Sequence, residues 1–249
     1  MGGSDSQPSA MYSALRHETD KQAWVDWLFT KVAPGYDLGN DIMSLGWHTR
    51  WKRRLLEYAD PKPGMRVLDL ACGTGDVTWM IAERIGDQGE VIGSDINAAM
   101  MELAEPKRPE GTDNVRFVQN DAGELPFEDN SFDLVTISYA GRGFPDWPAV
   151  VRECFRVLKP GGVIWNLDFA RPPFKPWDLT YRGWMLGSGA LLGTVLHGDP
   201  RCYMYIPASM AHYKGQRWLR DVMSEQGFEV ELIETWFCLM AYNKGTKPA

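Results

Sequence analysis

The sequence has little of what commits a chain to several common fates. Its four cysteines, Cys72, Cys154, Cys202 and Cys238, lie far apart and form no C-x-x-C pair. Neither a disulfide framework nor a metal site is indicated, and a reducing, cytoplasmic setting fits. Nowhere do about 18 apolar residues run together, so a spanning helix and stable membrane insertion are not expected. Basic residues are not in excess either: 26 Lys and Arg stand against 33 Asp and Glu, a net charge of −7, with both signs mixed along the chain. Such a surface does not track a phosphate backbone, and no nucleic-acid partner is expected. The opening MGGSDSQPSA lacks the basic start and apolar centre of a signal peptide. Residues 1–15 carry too few apolar side chains to offset the entropy of ordering, and a disordered leader is expected there.

What is present is a change of hydrophobic period. From Arg16 to Ala59 apolar residues such as Trp24, Trp27, Leu28 and Val32 recur at helical spacing, broken at Pro34-Gly35. This predicts a helical lid over residues 16–60 with a tight break inside it. After the turn signal Pro61-Lys62-Pro63-Gly64, short apolar runs alternate with amphipathic stretches. The pattern predicts strands Met65–Leu70, Glu90–Ser94, Val115–Gln119, Phe132–Ser138 and Val163–Phe169, with helices Asp76–Ile85, Asn97–Ala104 and Ala149–Val157. Short strands divided by helices imply a mostly parallel sheet with right-handed crossovers. A closing helix, Gln216–Gln226, precedes two apolar segments, Phe228–Ile233 and Phe237–Tyr242, that complete an edge hairpin and bring the strands to seven. The fold class is therefore α/β and Rossmann-like, over residues 61–249. Residues 172–213, rich in Trp, Tyr, Met, Gly and Pro, break the alternation and read as an insertion folded over the active end of the sheet.

The most informative segment runs Val67-Leu68-Asp69-Leu70-Ala71-Cys72-Gly73-Thr74-Gly75-Asp76, a strand passing through a glycine turn into a helix. Gly73 and Gly75 either just turn the chain or let backbone approach a ligand with no Cβ in the way, beside the free N–H groups of the next helix. Asp95 closes the second strand, where a carboxylate accepts ribose hydroxyls or else caps a helix. Asn120-Asp121-Ala122 ends the third strand, although Asp is also common in turns. Polar residues at three successive strand ends suit one adenosine-like ligand. A dinucleotide would need a third glycine where Thr78 stands. Acids around the turn, Asp69 and Asp76, better suit a ligand carrying an ammonium and a sulfonium, as S-adenosylmethionine does.

At these residues the sequence resembles the class I methyltransferases, whose first motif is similar to the run from Asp69 to Gly75. The block from Val32 to Lys52, through Tyr36, Asp37, Asn40, Asp41, Ser44, Gly46 and His48, resembles the N-terminal signature of the ubiquinone/menaquinone biosynthesis C-methyltransferases. Further similarity lies in Asp95-Ile96-Asn97, Asp121 to Pro126, Asn130 to Asp133 and Arg156 to Gly162. The resemblance implies a class I methyltransferase fold, S-adenosylmethionine as methyl donor with S-adenosylhomocysteine as product, and a small-molecule phenol or quinol methylated on a ring carbon. It also implies that Asp95 binds the ribose hydroxyls, Asp121 with Ala122 the adenine, and Gly73 the amino acid portion. The candidate cofactor-binding set is Asp69, Gly73, Thr74, Gly75, Asp95, Ile96, Asn120, Asp121, Ala122 and Ser138. Two departures stand out. The family usually has Gly-hydrophobic-Arg-Asn after the fourth strand, whereas Gly141-Arg142-Gly143 keeps the arginine without the asparagine, and Tyr242 replaces a usual histidine. An O-, N- or C-methyltransferase of specialised metabolism, or a pericyclase that keeps the fold without transferring methyl, stays open.

Methylating an aromatic carbon requires a neighbouring hydroxyl to lose its proton, which takes a base or a cation. Arg142, His48 and Tyr36 are the candidate catalytic residues. Arg142 either steadies a phenolate, or orients water as the resemblance implies, or pairs with Asp146 or Glu153 on the surface. His48, His197 and His212 are bases or structural residues, and Tyr36 with Asp37 forms either part of a lid or a capped turn. Within the insertion, Trp177, Tyr181, Trp184 and Tyr203 are candidate acceptor-binding residues, joined by Met185, Met204 and Tyr205. The alternative is an ordinary core at helical spacing. Monomer and homodimer are both open.

Overall fold

In the computed structural model, residues 18–235 and 237–249 are described, with side chains from residue 24 onward; the leader expected over 1–15 lies outside them. The short apolar runs form a seven-stranded sheet in the order β3-β2-β1-β4-β5-β7-β6. Strands β1 (Arg66–Leu70), β2 (Glu90–Asp95), β3 (Val115–Gln119), β4 (Phe132–Ser138) and β5 (Leu158–Phe169) are parallel. Strand β7 (Met240–Thr246) inserts antiparallel between β5 and β6 (Glu229–Thr235), closing the sheet with the expected hairpin.

Strand side chains alternate between faces, and each face has its own cover. Leu68 and Leu70 pack with Val150, Val151 and Cys154 of α6 (Trp147–Val157) and Leu219 of α9 (Gln216–Glu225). Val67 points the other way, against Val77 and Ile81 of α4 (Asp76–Ile85) and Leu55 and Leu56 of α3 (Trp47–Ala59). The chain builds outward through β2 and β3, then returns to add β4 beside β1. The carboxyl ends of β1 and β4 thus flank the point where strand order reverses, where open α/β sheets bind ligands.

Ahead of the sheet lie α1 (Glu18–Val32), a 3₁₀ turn at Ala33–Gly35, α2 (Tyr36–Ser44) and α3, so the break expected at Pro34-Gly35 is a tight turn between helices. Segment 172–213 is a helical hairpin, α7 (Lys175–His197) and α8 (Arg201–His212). Its helices pack closely because Gly189 has no side chain, a Cβ there lying 3.1 Å from the Tyr203 carbonyl oxygen, and its turn is tight at Gly193, where a Cβ would lie 2.6 Å from the Asp199 carbonyl oxygen. Val25, Leu28 and Val32 of α1 form a third core with Tyr203, Tyr205 and Ala208 of α8, joining the N-terminal helices to the insertion.

Several boundaries differ from expectation for local reasons. Helix α5 stops early, at Ala98–Glu102, before a 3₁₀ turn containing Pro106. Strand β5 starts at Leu158 rather than Val163, across an irregularity in its register with β4. The hairpin strands sit later than the apolar runs suggested. Phe237 and Cys238 adopt left-handed backbone in the turn, and Phe237, expected in a strand, is 86% exposed. Among the described residues, no helix is long and apolar enough to cross a membrane.

Candidate active site

Two cavities meet at the turn after β1 and share Ala71. The first is apolar, roofed by Tyr36, His48 and Trp51 of the N-terminal helices and by Tyr181, Trp184 and Tyr203 of the insertion. Its floor includes Gly73, Thr74, Ser138, Tyr139 and Arg142 at the ends of β1 and β4. The second lies along the ends of β1 to β3, lined by Asp95, Ile96, Asn120, Asp121 and Ala122. Its charged lining residues, Asp95, Asp121, Glu124 and Asp146, are all acids. That set of acceptors repels a pyrophosphate and accepts from hydroxyls and amino groups.

Asp95 holds the turn. Its Oδ2 accepts the Gly73 N–H at 2.8 Å and its Oδ1 the Asn97 N–H at 2.9 Å. Burial lifts its carboxyl above the usual range against these backbone bonds. It does not cap the following helix, since Asn97 does so by accepting from the Met100 N–H at 3.0 Å. Gly73 has φ +55°, a left-handed bend that glycine adopts without strain, while a Cβ there would meet only Met100 Cε at 3.5 Å, so backbone conformation rather than space calls for glycine. Asn120 accepts from the Ser94 hydroxyl at 2.6 Å, and Asp121 closes its own turn by accepting from the Gly123 N–H at 2.8 Å.

Two residues of the glycine segment have other work. Asp69 is 1% exposed and lines neither cavity. Its carboxylate accepts from the Thr78 and Thr136 hydroxyls at 2.7 and 2.8 Å, and burial pushes its pKa up to about 6. Thr78, standing where a dinucleotide-binding turn has its third glycine, is thus Asp69's partner. Gly75 also lines neither cavity; a Cβ there would lie 2.8 Å from the Ala104 Cβ, so this glycine lets the chain pack closely.

Ion pairs tie the N-terminal helices to this turn. Thr74 donates to Asp37 at 2.8 Å, Asp37 pairs with Lys107, and Asp76 receives Lys107 at 3.2 Å and Lys52 at 2.8 Å. Burial works against the Asp76 charge, but the two ammonium groups more than offset it and lower its pKa. Lys52, buried and lining the first cavity, carried no signal beyond its place in the motif block.

Arg142 is 7% exposed and pairs with neither Asp146 nor Glu153: Asp146 caps α6, and Glu153 binds Arg156. Instead Arg142 donates through Nε to Asp168 at 2.8 Å and through Nη2 to the Tyr139 carbonyl at 3.2 Å. Its guanidinium lies 4.6 Å from the Phe169 ring centre, and Nη1 is buried without a hydrogen-bond partner. Burial opposes its charge, yet Asp168 outweighs that and raises its pKa. Tyr139, not singled out in the sequence, also reaches the cavity, on left-handed backbone of φ +59° and with its hydroxyl unpartnered. Burial lifts the Tyr36 hydroxyl above its ordinary range, against a hydrogen bond with Asn40, so it stays a phenol.

Trp177 is a correction: it lines neither cavity, and its indole N–H donates to the Phe237 carbonyl at 3.3 Å. Trp184 lines the first cavity while 71% exposed, forming part of its outer edge. His197 and His212 lie outside the first cavity, beside the Tyr203 hydroxyl and the Ala208 carbonyl respectively. Tyr242 is a core residue whose ring meets Tyr58 edge-on and whose hydroxyl donates to the Trp51 carbonyl.

The model of the ubiE/COQ5 methyltransferase family matches residues 16–247. The ubiquinone/menaquinone biosynthesis C-methyltransferase UbiE of Shewanella woodyi is 38% identical over 234 residues, 92% of this chain and 93% of that protein. The protein of the same name from Vibrio vulnificus is 40% identical over 212 residues, 84% of this chain and 82% of its own. Among solved structures, a SAM-dependent methyltransferase from Aquifex aeolicus superposes with a TM-score of 0.57 at 17% identity, over 78% of this chain and 88% of that one. This last likeness speaks to the fold alone.

Proposed function

The chain belongs to the ubiE/COQ5 methyltransferase family, and on that premise we propose that it transfers the methyl group of S-adenosylmethionine to a ring carbon of an apolar phenol or quinol of the ubiquinone/menaquinone type. The observation that carries this reading is the junction at Ala71, where an acidic cleft without cations opens beside an aromatic-roofed cavity holding one buried arginine. Asp95 receives the ribose hydroxyls; Asn120, Asp121, Ala122 and Ile96 surround the adenine; Gly73, Thr74 and Ser138 lie toward the amino acid portion. When bound, the cofactor supplies a methyl group on a sulfonium whose positive charge is lost on transfer.

The chain contributes alignment, charge and dryness. Orienting two reactants in one site is worth about 7–11 kcal/mol in favourable cases. Tyr181, Trp184 and Tyr203 hold a flat apolar ring. The helices between Glu18 and Ala59 act as the lid, fastened by Asp37 to Thr74. Arg142, fixed by Asp168 and Phe169, offers its free Nη1 to the oxygen of a deprotonated acceptor, and Tyr36 donates as a neutral phenol.

Calorimetry with S-adenosylmethionine tests the cofactor site. Loss of two hydrogen bonds to a charged group at about 1.5 kcal/mol each predicts roughly 100-fold weaker binding for Asp95→Ala; equal affinities would defeat the assignment. Incubation with a demethylmenaquinol analogue should give product methylated on a ring carbon. A second reading, an apolar acceptor of another kind, is favoured by Gly143: a Cβ there would lie 3.6 Å from the Tyr205 hydroxyl, so a phenol borders the place of the family's usual asparagine. Turnover of other phenols without turnover of the quinol analogue would select it.

A further inference from the structure

His48 has a partner on one ring nitrogen and none on the other. It is the second residue of α3, following a tight turn through left-handed Leu45 and Gly46, and its own N–H donates to the Ser44 hydroxyl at 3.2 Å. The turn brings the ring against Asp41 of α2, with Nε2 2.8 Å from Asp41 Oδ1. Asp41's side chain is 60% exposed and His48's only 10%. Nε2 also lies 3.4 Å from the Thr49 hydroxyl, which can donate or accept, whereas the solvated carboxylate at 2.8 Å only accepts, so Nε2 carries the hydrogen, which in the neutral ring leaves Nδ1 a bare lone pair.

That lone pair is buried, without a hydrogen-bond partner, on a residue lining the apolar cavity. An unsatisfied buried acceptor costs about 1–3 kcal/mol, a penalty that a donor arriving with a ligand would remove. The other two described histidines differ: His212 Nδ1 is engaged by the Ala208 carbonyl, and His197 lies by Tyr203 outside the cavity.

We infer that His48, its ring oriented by Asp41, is the base that takes the acceptor's hydroxyl proton on Nδ1. The O–H bond breaks, the proton forms a bond to Nδ1, and the electron pair stays on oxygen, where Arg142 steadies it. The electron-rich ring carbon takes the methyl group as the carbon–sulfur bond breaks and its electron pair goes to sulfur, and then releases its own hydrogen as a proton to water. The proton on Nδ1 returns to the oxygen, so hydroxyl and histidine end as they began and the ring carries the new methyl group. Asp41 acts through His48 and is a positioning residue.

The test uses the full chain and a series of phenols of graded acidity. General-base catalysis is worth about 10²–10⁴-fold, so His48→Gln should lower kcat at least about 100-fold on a weakly acidic phenol, leaving KM and calorimetric S-adenosylmethionine affinity within about threefold. The deficit should shrink toward unity for a nitrophenol already ionised in the assay, which needs no base. Asp41→Asn should give a smaller loss with the same dependence on acceptor acidity, a pattern that a merely structural role would not produce. Nitrogen-15 spectra of the wild type should report an unprotonated Nδ1. A kcat for His48→Gln within threefold of wild type, a deficit equal across the series, or an Nδ1–H tautomer would each overturn the inference. It rests on the proposed function, and the two fail differently. A wild type that binds the cofactor but methylates no phenol sinks both, whereas an active wild type matched by His48→Gln sinks the role of His48 alone.

Discussion

Replacing Asp69 by asparagine should make the protein more stable at neutral pH and leave it nearly unchanged in acid. The carboxyl is buried under the sheet, and burial raises its pKa from 3.8 to about 6 despite bonds from Thr78 and Thr136. A folded value above the unfolded one means that the native state binds the proton more tightly. Its stabilising contribution is therefore complete below about pH 4 and is lost as pH rises through 6. At 1.36 kcal/mol for each tenfold in affinity, the gap corresponds to roughly 3 kcal/mol, lost in full by about pH 7. Asparagine retains an acceptor for one threonine and never ionises, so its stability should stay flat across this window. Urea titrations of both proteins at pH 4.5, 6 and 7.5 read the difference directly, because every other titrating group is shared. An advantage for Asp69→Asn that grows by about 2 kcal/mol from pH 4.5 to 7.5 is expected. A constant difference, or a larger deficit at pH 7.5, would refute the reasoning, for it would mean that the threonine hydroxyls outweigh burial.

Arg142→Ala should lower kcat by about 10²-fold, as for loss of one donor to a developing oxyanion, with S-adenosylmethionine affinity within threefold; unchanged turnover removes Arg142 from the mechanism. Gly75→Ala should destabilise the fold by about 1–3 kcal/mol in thermal or urea unfolding, because φ is +79° and the new Cβ would meet Ala104 at 2.8 Å. Stability equal to wild type would show that α4 can shift at no cost. Asp37→Asn should change stability by less than about 1 kcal/mol, its partner Lys107 being partly exposed, yet weaken calorimetric cofactor binding severalfold; unaltered binding would sink the lid reading.

The parallel strands and the glycine turn were legible because their signals are local: apolar runs of strand length, turn residues between them, and glycines where the chain must bend. Asp95, Asn120 and Asp121 could be grouped for the same reason, since parallel topology sends every strand end to one edge. What escaped was decided by contacts across the fold. Asp69 and Gly75 sit in the motif, yet Asp69 faces Thr136 on a neighbouring strand and Gly75 faces Ala104, pairings that no window of sequence displays. Arg142's partner lies 26 residues on, in β5, beyond the nearby acids that spacing suggested. Trp177 and Tyr181 are i and i+4 on one face of α7, so position along the helix axis, about one turn, separates the residue lining the cavity from the one tethered to the terminal hairpin.

The same network that ties the N-terminal helices to the turn also sets how the site meets acid. Asp76 is held ionised by Lys52 and Lys107, its pKa lowered, so its contribution is present at and above the ordinary carboxyl range and is lost as pH falls through the folded value. Asp69 behaves oppositely, gaining as pH falls through 6. The two carboxylates stand seven residues apart on either side of one turn, and their windows do not overlap. Between pH 6 and 4 the strand beneath the turn tightens while the Asp76 salt link to Lys52 of α3 remains; below that range this link fails while β1 holds. Acid should therefore release the roof before it melts the sheet, because Lys52 sits one turn of α3 from His48 and both depend on the seating of that helix. Cofactor affinity should collapse at a pH where the near-neutral circular dichroism of the sheet is still intact, and coincident loss of both would show that roof and sheet unfold as one unit.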